Sequence, residues 1–188
     1  MKLFFVSSNY HKFQEIQKIL NEFNIQISFH QAELPELQSD SLEEIALFSA
    51  KHAYSQLKQS LFVEDTGLFI HTLRGFPGPY ASYIFKTIGN QGVLQLLGEN
   101  SNRNAIFKTV IALILSENES CTFIGETQGT IAHSETGNYG WGYDPIFIPL
   151  EGDRRTYAEM GVDKKNQISH RRRSLEKLVT YLKSKIQK

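Results

Sequence analysis

The spacing of the apolar residues changes character within the first 23 positions of the chain. Residues 2 to 7 form a short aromatic and β-branched run. Beyond Ser8 and Asn9, the positions Phe13, Ile16, Leu20 and Phe23 recur at the interval of one helical face. The chain therefore starts as strand, polar turn, helix, and the turn presents hydroxyl, amide and lysine groups at a helix N-terminus.

The rest of the sequence reads in similar units. A second strand is predicted over 25 to 29. An acidic stretch, Glu33-Leu34-Pro35-Glu36, leads to Asp40-Ser41, a cap for a helix reaching about position 57 with Leu42, Ile45, Ala46, Ala50, Ala53 and Leu57 on its apolar face. Leu61-Phe62-Val63 and Leu68-Phe69-Ile70 read as one strand interrupted or bent at Glu64-Asp65-Thr66-Gly67. Gly75-Phe76-Pro77-Gly78-Pro79 is turn chemistry, followed by short helices over 80 to 87 and 90 to 98. Two longer runs, 105 to 115 and 121 to 132, read as an antiparallel hairpin. A glycine-rich aromatic loop, 136 to 145, precedes the apolar run Ile146-Phe147-Ile148. The last predicted helix spans about 169 to 186 and opens on the basic group His170-Arg171-Arg172-Arg173. No internal repeat, low-complexity tract or linker stands out, and the whole length 1–188 is expected to form one domain.

At 188 residues with 40% hydrophobic and 12% aromatic content, the chain has enough apolar mass for a real core. Twenty Lys and Arg balance twenty Asp and Glu, which excludes a general electrostatic attraction for nucleic acid or an anionic membrane; an anion site must be local. The single cysteine, Cys121, cannot form an internal disulfide, and the apolar run at the start is too short for a signal peptide or a membrane span. The expected location is cytoplasmic.

Four groups carry candidate chemistry. Ser7, Ser8, Asn9, Tyr10, His11 and Lys12 form the strand-to-helix turn, where unpaired amides and the helix dipole attract phosphate and Lys12 adds a point charge. The Gly-x-x-x-x-Gly-Lys spacing of a P-loop is absent, and an ordinary N-cap with a solvated lysine would use the same residues. Glu36, Glu44, Glu64 and Asp65 supply carboxylates of the kind Mg²⁺ and phosphate-bound water require, against the alternative of a solvated strand end. Gly140-Trp141-Gly142-Tyr143-Asp144 offers an aromatic face flanked by glycines, suited either to a stacked base or to a tight loop around a buried ring. Lys164 and Lys165 with Ser169, His170, Arg171, Arg172 and Arg173 can donate to phosphate or purine carbonyls, against the alternative of a solvated basic helix start; a run of arginines there opposes the dipole, which favours a functional reading for at least one of them.

Together these motifs resemble the inosine triphosphate pyrophosphatase family, also called the Ham1 or non-canonical purine NTP pyrophosphatase family. The resemblance spans nearly the whole chain. It rests on Ser7-Ser8-Asn9 with Lys12 and Glu15, Leu34-Pro35-Glu36, Glu64-Asp65-Thr66-Gly67-Leu68, Gly75-Phe76-Pro77-Gly78-Pro79-Tyr80, Gly140-Trp141-Gly142-Tyr143-Asp144-Pro145-Ile146-Phe147, and Lys165 with Ser169-His170-Arg171. Relatives commonly carry glycine before the first lysine, where this chain has Tyr10-His11, and phenylalanine where it has Trp141.

The resemblance implies an elongated α/β fold with a twisted mixed sheet, flanking helices and two lobes around a nucleotide cleft, assembled as a homodimer. It implies hydrolysis of ITP, dITP and XTP to the monophosphate and pyrophosphate with Mg²⁺, and no nucleic acid or membrane partner. By the same likeness the turn from Ser7 to Lys12 holds the triphosphate, Glu36 and Asp65 bind Mg²⁺, and Asp65 is also the proton acceptor. Thr66 contacts the substrate, Trp141, Gly142, Tyr143 and Asp144 pack on the base, and Lys165, His170 and Arg171 contact the nucleotide, the last two at the purine 6-oxo edge. The division of roles among Glu36, Glu64 and Asp65 stays open. Two rival classes share part of this equipment: a pyrophosphatase for modified pyrimidine or ordinary nucleoside triphosphates, and a non-catalytic nucleotide- or RNA-binding module.

Overall fold

The computed structural model describes residues 2–35 and 37–186. In chain order the elements are β1 (Phe4–Ser7), α1 (Tyr10–Asn21), β2 (Ser28–Gln31), α2 (Leu42–Leu57), β3 (Leu61–Ile70), a 3₁₀ turn (His71–Leu73), β4 (Pro77–Gly78), α3 (Ala81–Thr87), α4 (Gly89–Leu97), β5 (Asn104–Ser116), β6 (Glu119–Ile131), β7 (Phe147–Pro149), α5 (Tyr157–Met160), α6 (Val162–Ile168) and α7 (His170–Ile186). The strands form one seven-stranded mixed sheet in the order β2-β1-β3-β5-β6-β7, with β4 added on β3. β1 runs parallel to both β2 and β3, whereas β3–β4 and β6–β7 are antiparallel. This is the mixed α/β architecture expected.

The chain divides into two compact units. The first comprises residues 1–65, 109–125 and 171–188, and the second 66–108 and 126–170. Strands β3, β5 and β6 contribute residues to both.

In the first unit, α1 and α7 bury one face each against sheet residues. Ile16, Ile19 and Leu20 of α1 and Leu175, Leu178, Val179 and Leu182 of α7 share a core with Phe5, Phe62, Ile111 and Leu113. Each such side chain removed from water is worth roughly 1.5–3 kcal/mol before the entropy of ordering it. Asn9 caps α1 by accepting from the Lys12 amide at 3.2 Å, and Ser41 caps α2 by accepting from the Glu44 amide at 3.2 Å. In the second unit, Leu68, Ile70, Val93, Leu97, Phe107, Ile131, Tyr143, Ile146, Phe147 and Tyr157 form a separate core.

Three local expectations shift. β2 starts at Ser28 rather than 25, because Asn24 adopts a positive φ of 57° and the Ile25 amide bonds back to Leu20, so the residues just after α1 close the helix. The expected break in β3 is absent: ten residues continue through Glu64, whose carboxylate is buried against partners rather than turned out to water. The stretch 157–168, between the aromatic loop and α7, folds into α5 and α6, which sequence spacing did not predict. Thr156 and Glu159 form a reciprocal capping box there, the start signal in the sequence that marks α5.

Candidate active site

The polar loop at the end of β1 is organised from within. Ser7 Oγ accepts from the Asn9 amide at 3.0 Å, and Asn9 Oδ1 caps α1. The Tyr10 ring lies 5.6 Å from Phe13 and 5.7 Å from Phe29, which are themselves stacked, so its bulk is taken up by aromatic packing. Ser8, Tyr10 and His11 are exposed, and Ser7, Asn9 and Lys12 half-buried. The start of α1 is thus a capped helix terminus with exposed flanking groups, the arrangement that favours anions.

Lys12 leads from that terminus to the acidic segment of β3. Its ammonium lies 2.8 Å from Glu64 Oε2 and donates to the Glu64 carbonyl oxygen at 3.1 Å. Glu64 Oε1 accepts from Thr109 Oγ1 at 3.1 Å and from Arg171 Nε and Nη2 at 3.2 and 3.0 Å. Arg171 Nη1 donates in turn to Glu15. The Glu64 side chain is wholly buried and Arg171 is 1% exposed. Carboxylates and cations thus meet inside the first unit, the condition under which buried charge is tolerated. Asp65, the next residue on the strand, is half-exposed.

In the structure three nitrogens of Arg171, the residue expected at the purine edge, are held by Glu15 and Glu64. This pairing resolves the apparent clash of an arginine run with the α7 dipole. Arg171 and Arg172 are both paired, Arg172 with Glu22 and with Glu176 one turn on, each at 2.8 Å. Glu44, one turn into α2, is bonded by Ser39 Oγ. Glu36 lies outside the described residues.

The second unit holds the aromatic loop. Lys165 and Asp144 form an ion pair at 2.7 Å with both side chains at most 4% exposed. Asp144 Oδ2 also accepts from the Trp141 amide at 3.1 Å, and the Lys165 ammonium stands 5.7 Å from the centres of the Trp141 and Tyr157 rings. Gly140, at φ +80°, is required here: a Cβ would sit 2.2 Å from Asp144 Oδ2. The Tyr143 hydroxyl donates to the Ala81 carbonyl at 2.8 Å, and burial pushes its phenol above the ordinary range, keeping it a neutral donor. Trp141, Gly142 and Thr66 are half-buried, while His170 is buried with its ring stacked 4.4 Å from Phe107.

Four contributors escape a reading of the sequence for chemistry. Glu15 figures there only as part of a motif. Thr109 and Asn90 lie in strand and helix segments with no chemical signature; Asn90 Nδ2 donates to Gly142 O and Glu135 Oε2, tying the aromatic loop to α4. Asn166 is 3% exposed beside Lys165. A signal exists only for Glu15, a charge at a position one short of the apolar Ile16 on the helix face.

Fold and side chains define the class: a mixed-sheet α/β protein with a polar strand-to-helix turn, a buried acid–base network and an aromatic loop carrying a buried Lys–Asp pair. Known proteins make it more specific. The model of the Ham1 family matches residues 3–181. A dITP/XTP pyrophosphatase of Methanopyrus kandleri is 46% identical, over 99% of this chain and 98% of its own length, and one of Thermococcus kodakarensis is 43% identical over 99% and 100%. Among solved structures, a HAM1 protein from Coxiella burnetii superposes with a TM-score of 0.84 at 33% identity, covering 98% of this chain and 100% of that one, and the Staphylococcus aureus Ham1 protein does so at 0.83 and 27%, with the same coverage. The chain belongs to the Ham1 family.

Proposed function

We propose that this chain hydrolyses non-canonical purine nucleoside triphosphates, ITP, dITP and XTP, to the nucleoside monophosphate and pyrophosphate, with Mg²⁺. The observation that carries the reading is the contrast between adjacent carboxylates on β3. Glu64 is sealed among cations, while Asp65 is half-exposed in a family whose named relatives are dITP/XTP pyrophosphatases.

Mg²⁺ takes oxygen ligands and retains several waters, so one or two carboxylates together with substrate phosphates suffice to hold it. Among the described residues there is no group of three or more His, Cys, Asp or Glu placed as a metal cage, and an ion shared with a polyphosphate needs none. Asp65 has the chemistry and exposure of such a ligand, and Glu36 is assigned as the second. Bound Mg²⁺ would neutralise charge on the polyphosphate.

The chain's own groups do the rest. Ser7, Ser8, Asn9, Tyr10 and His11 surround the terminus of α1, where amides and hydroxyls suit phosphate oxygens, and Lys12 adds an ammonium donor. Asp65 orients water for in-line attack on the α-phosphorus and accepts its proton, and pyrophosphate leaves. Thr66 contacts the substrate. In the second unit Trp141 with Gly142 and Tyr143 offers the stacking face. Asp144 packs on the base beside them, and Lys165, His170 and Arg171 contact the nucleotide, the last two at the purine 6-oxo edge.

The reading takes the chain from 1 to 188 as one pyrophosphatase domain, in line with relatives matched over nearly their full lengths. It includes a homodimer and a cytoplasmic setting without nucleic acid or membrane partners. No helix among the described residues is long and apolar enough to cross a membrane. Light scattering tests the dimer.

The deciding experiment is pyrophosphate release from ITP and XTP beside ATP and GTP, with Mg²⁺ and with EDTA. Mg²⁺-dependent release confined to ITP and XTP is expected. Equal activity on all four would make the chain a general triphosphate pyrophosphatase, and none would overturn the enzymatic reading.

A further inference from the structure

Glu64 is a carboxylate beside the assigned catalytic Asp65, so its role is the natural question. Its surroundings restrict the answer. Oε1 already accepts from three donors, Thr109 Oγ1 and Arg171 Nε and Nη2, at 3.0–3.2 Å. Oε2 faces the Lys12 ammonium at 2.8 Å, and the side chain is fully buried. A carboxylate has about four lone-pair positions in all, and three donors on one oxygen exceed that oxygen's share. An added Mg²⁺ at Oε2 would lie against an ammonium of like sign in a site closed to water, where such repulsion is poorly screened. Glu64 is therefore badly placed either to bind metal or to take a proton from water.

The Lys12 ammonium is its counterpart. The ammonium has three protons. Two contacts go to the same residue, Glu64 Oε2 and the Glu64 carbonyl, and the lysine side chain keeps 14% exposure. A flexible four-carbon side chain is thereby fixed at two points, with one donor position left, among the described residues, for an oxygen arriving at the start of α1. Holding a long side chain before the ligand arrives removes entropy that binding would otherwise have to offset.

We propose that Glu64 is a positioning residue: clamped by Arg171 and Thr109, it holds Lys12 in the orientation that receives a pyrophosphate or polyphosphate group. This rests on the functional reading above, in which the turn from Ser7 to Lys12 takes the phosphates. The two neighbouring carboxylates of β3 then have separate roles, Asp65 serving the reacting water and Glu64 serving the lysine.

The test is a double-mutant cycle of Lys12→Met and Glu64→Gln, with Asp65→Asn beside it. Binding of inorganic pyrophosphate is measured by calorimetry in EDTA, and KM and kcat for ITP with Mg²⁺. Glu64→Gln keeps the shape and an acceptor for Arg171, but loses the charge that holds the ammonium. Each single variant at 12 and 64 is expected to weaken pyrophosphate binding and raise KM about tenfold, the scale of one charge-assisted hydrogen bond. The double variant is expected to be no weaker than Lys12→Met alone. For Glu64→Gln, kcat is expected to fall far less than for Asp65→Asn. Thr109→Val, which loosens Glu64 without changing charge, is expected to move KM in the same direction by a few-fold, and serves if Glu64→Gln folds poorly.

Losses in the double variant that multiply, unchanged pyrophosphate binding in Glu64→Gln, or a kcat collapse equal to that of Asp65→Asn would each overturn the inference. Where pyrophosphate binding is too weak to measure, the same cycle read in KM decides. Wild-type turnover keeps the two levels apart: hydrolysis of ITP with a multiplicative cycle refutes only the positioning role, whereas no hydrolysis of ITP refutes the functional reading beneath it.

Discussion

Replacing Arg171 by methionine breaks the buried network of the first unit at its most connected point. The wild-type set places Glu15 and Glu64 against Lys12 and Arg171. The variant takes the guanidinium away from two carboxylates, one fully buried and the other with a side chain 7% exposed, while the Lys12 ammonium stays 2.8 Å from Glu64. The guanidinium itself is 1% exposed, so water cannot easily take over its bonds. Methionine fills much of the volume of the arginine stem, which confines the effect mainly to charge. Removing one partner of a buried pair costs about 3–5 kcal/mol, although the intact set adds little over an apolar replacement of the whole. For a chain of this length, about 2–4 °C of melting temperature corresponds to each kcal/mol, so Arg171→Met is expected to melt roughly 6–20 °C lower. Thermal and urea unfolding followed by far-ultraviolet circular dichroism measure this. Adding Glu15→Gln removes one of the two charges that lost the guanidinium and is expected to recover part of the loss, a coupling that distant sites would not show. A single variant melting within about 2 °C of wild type, or a double variant whose losses simply add, would refute the account of the network as a coupled buried set.

Asp65→Asn is expected to abolish ITP hydrolysis while leaving the melting temperature near wild type; near-normal turnover would remove Asp65 from the chemistry. Lys165→Met leaves Asp144 buried without its cation, and kcat/KM for ITP is expected to fall about a hundredfold; an unchanged value would separate the aromatic loop from substrate recognition. Gly140→Ala places a Cβ 2.2 Å from Asp144 Oδ2 at a φ of +80°, so the emission of Trp141, the sole tryptophan, is expected to shift along with a higher KM. Ser41→Ala removes the cap of α2 and is expected to cost about 1 kcal/mol with no change in kcat, read by urea unfolding.

The helices α1, α2 and α7 were legible because each buries one stripe and so repeats its apolar residues at helical spacing. The starts of α1 and α2 were legible as the polar turn before Phe13 and the Asp40-Ser41 cap because capping is local chemistry. The β5–β6 hairpin was legible from two long strand-like runs flanking a polar turn. Asp65, Lys12, Trp141 and Lys165 stood out as residue types that a core or a bland surface does not require in those patterns. The bounds of β2 were not legible, since parallel pairing with β1 sets its register through contacts distant in sequence. Nor was the continuity of β3 through Glu64, for the same reason.

The amino-acid order alone determined the alternation of strand and helix, the local caps and the presence of a polar turn, an acidic segment and an aromatic loop, because these depend on neighbours within a few positions. Tertiary structure decided what each charge is for. Arg171 stands 156 positions from Glu15 and 107 from Glu64, and Lys12 stands 52 from Glu64. Only folding brings them into one water-poor site, where a carboxylate that reads as a solvated strand end becomes the anchor of two cations. The neighbouring Asp65 remains within reach of solvent.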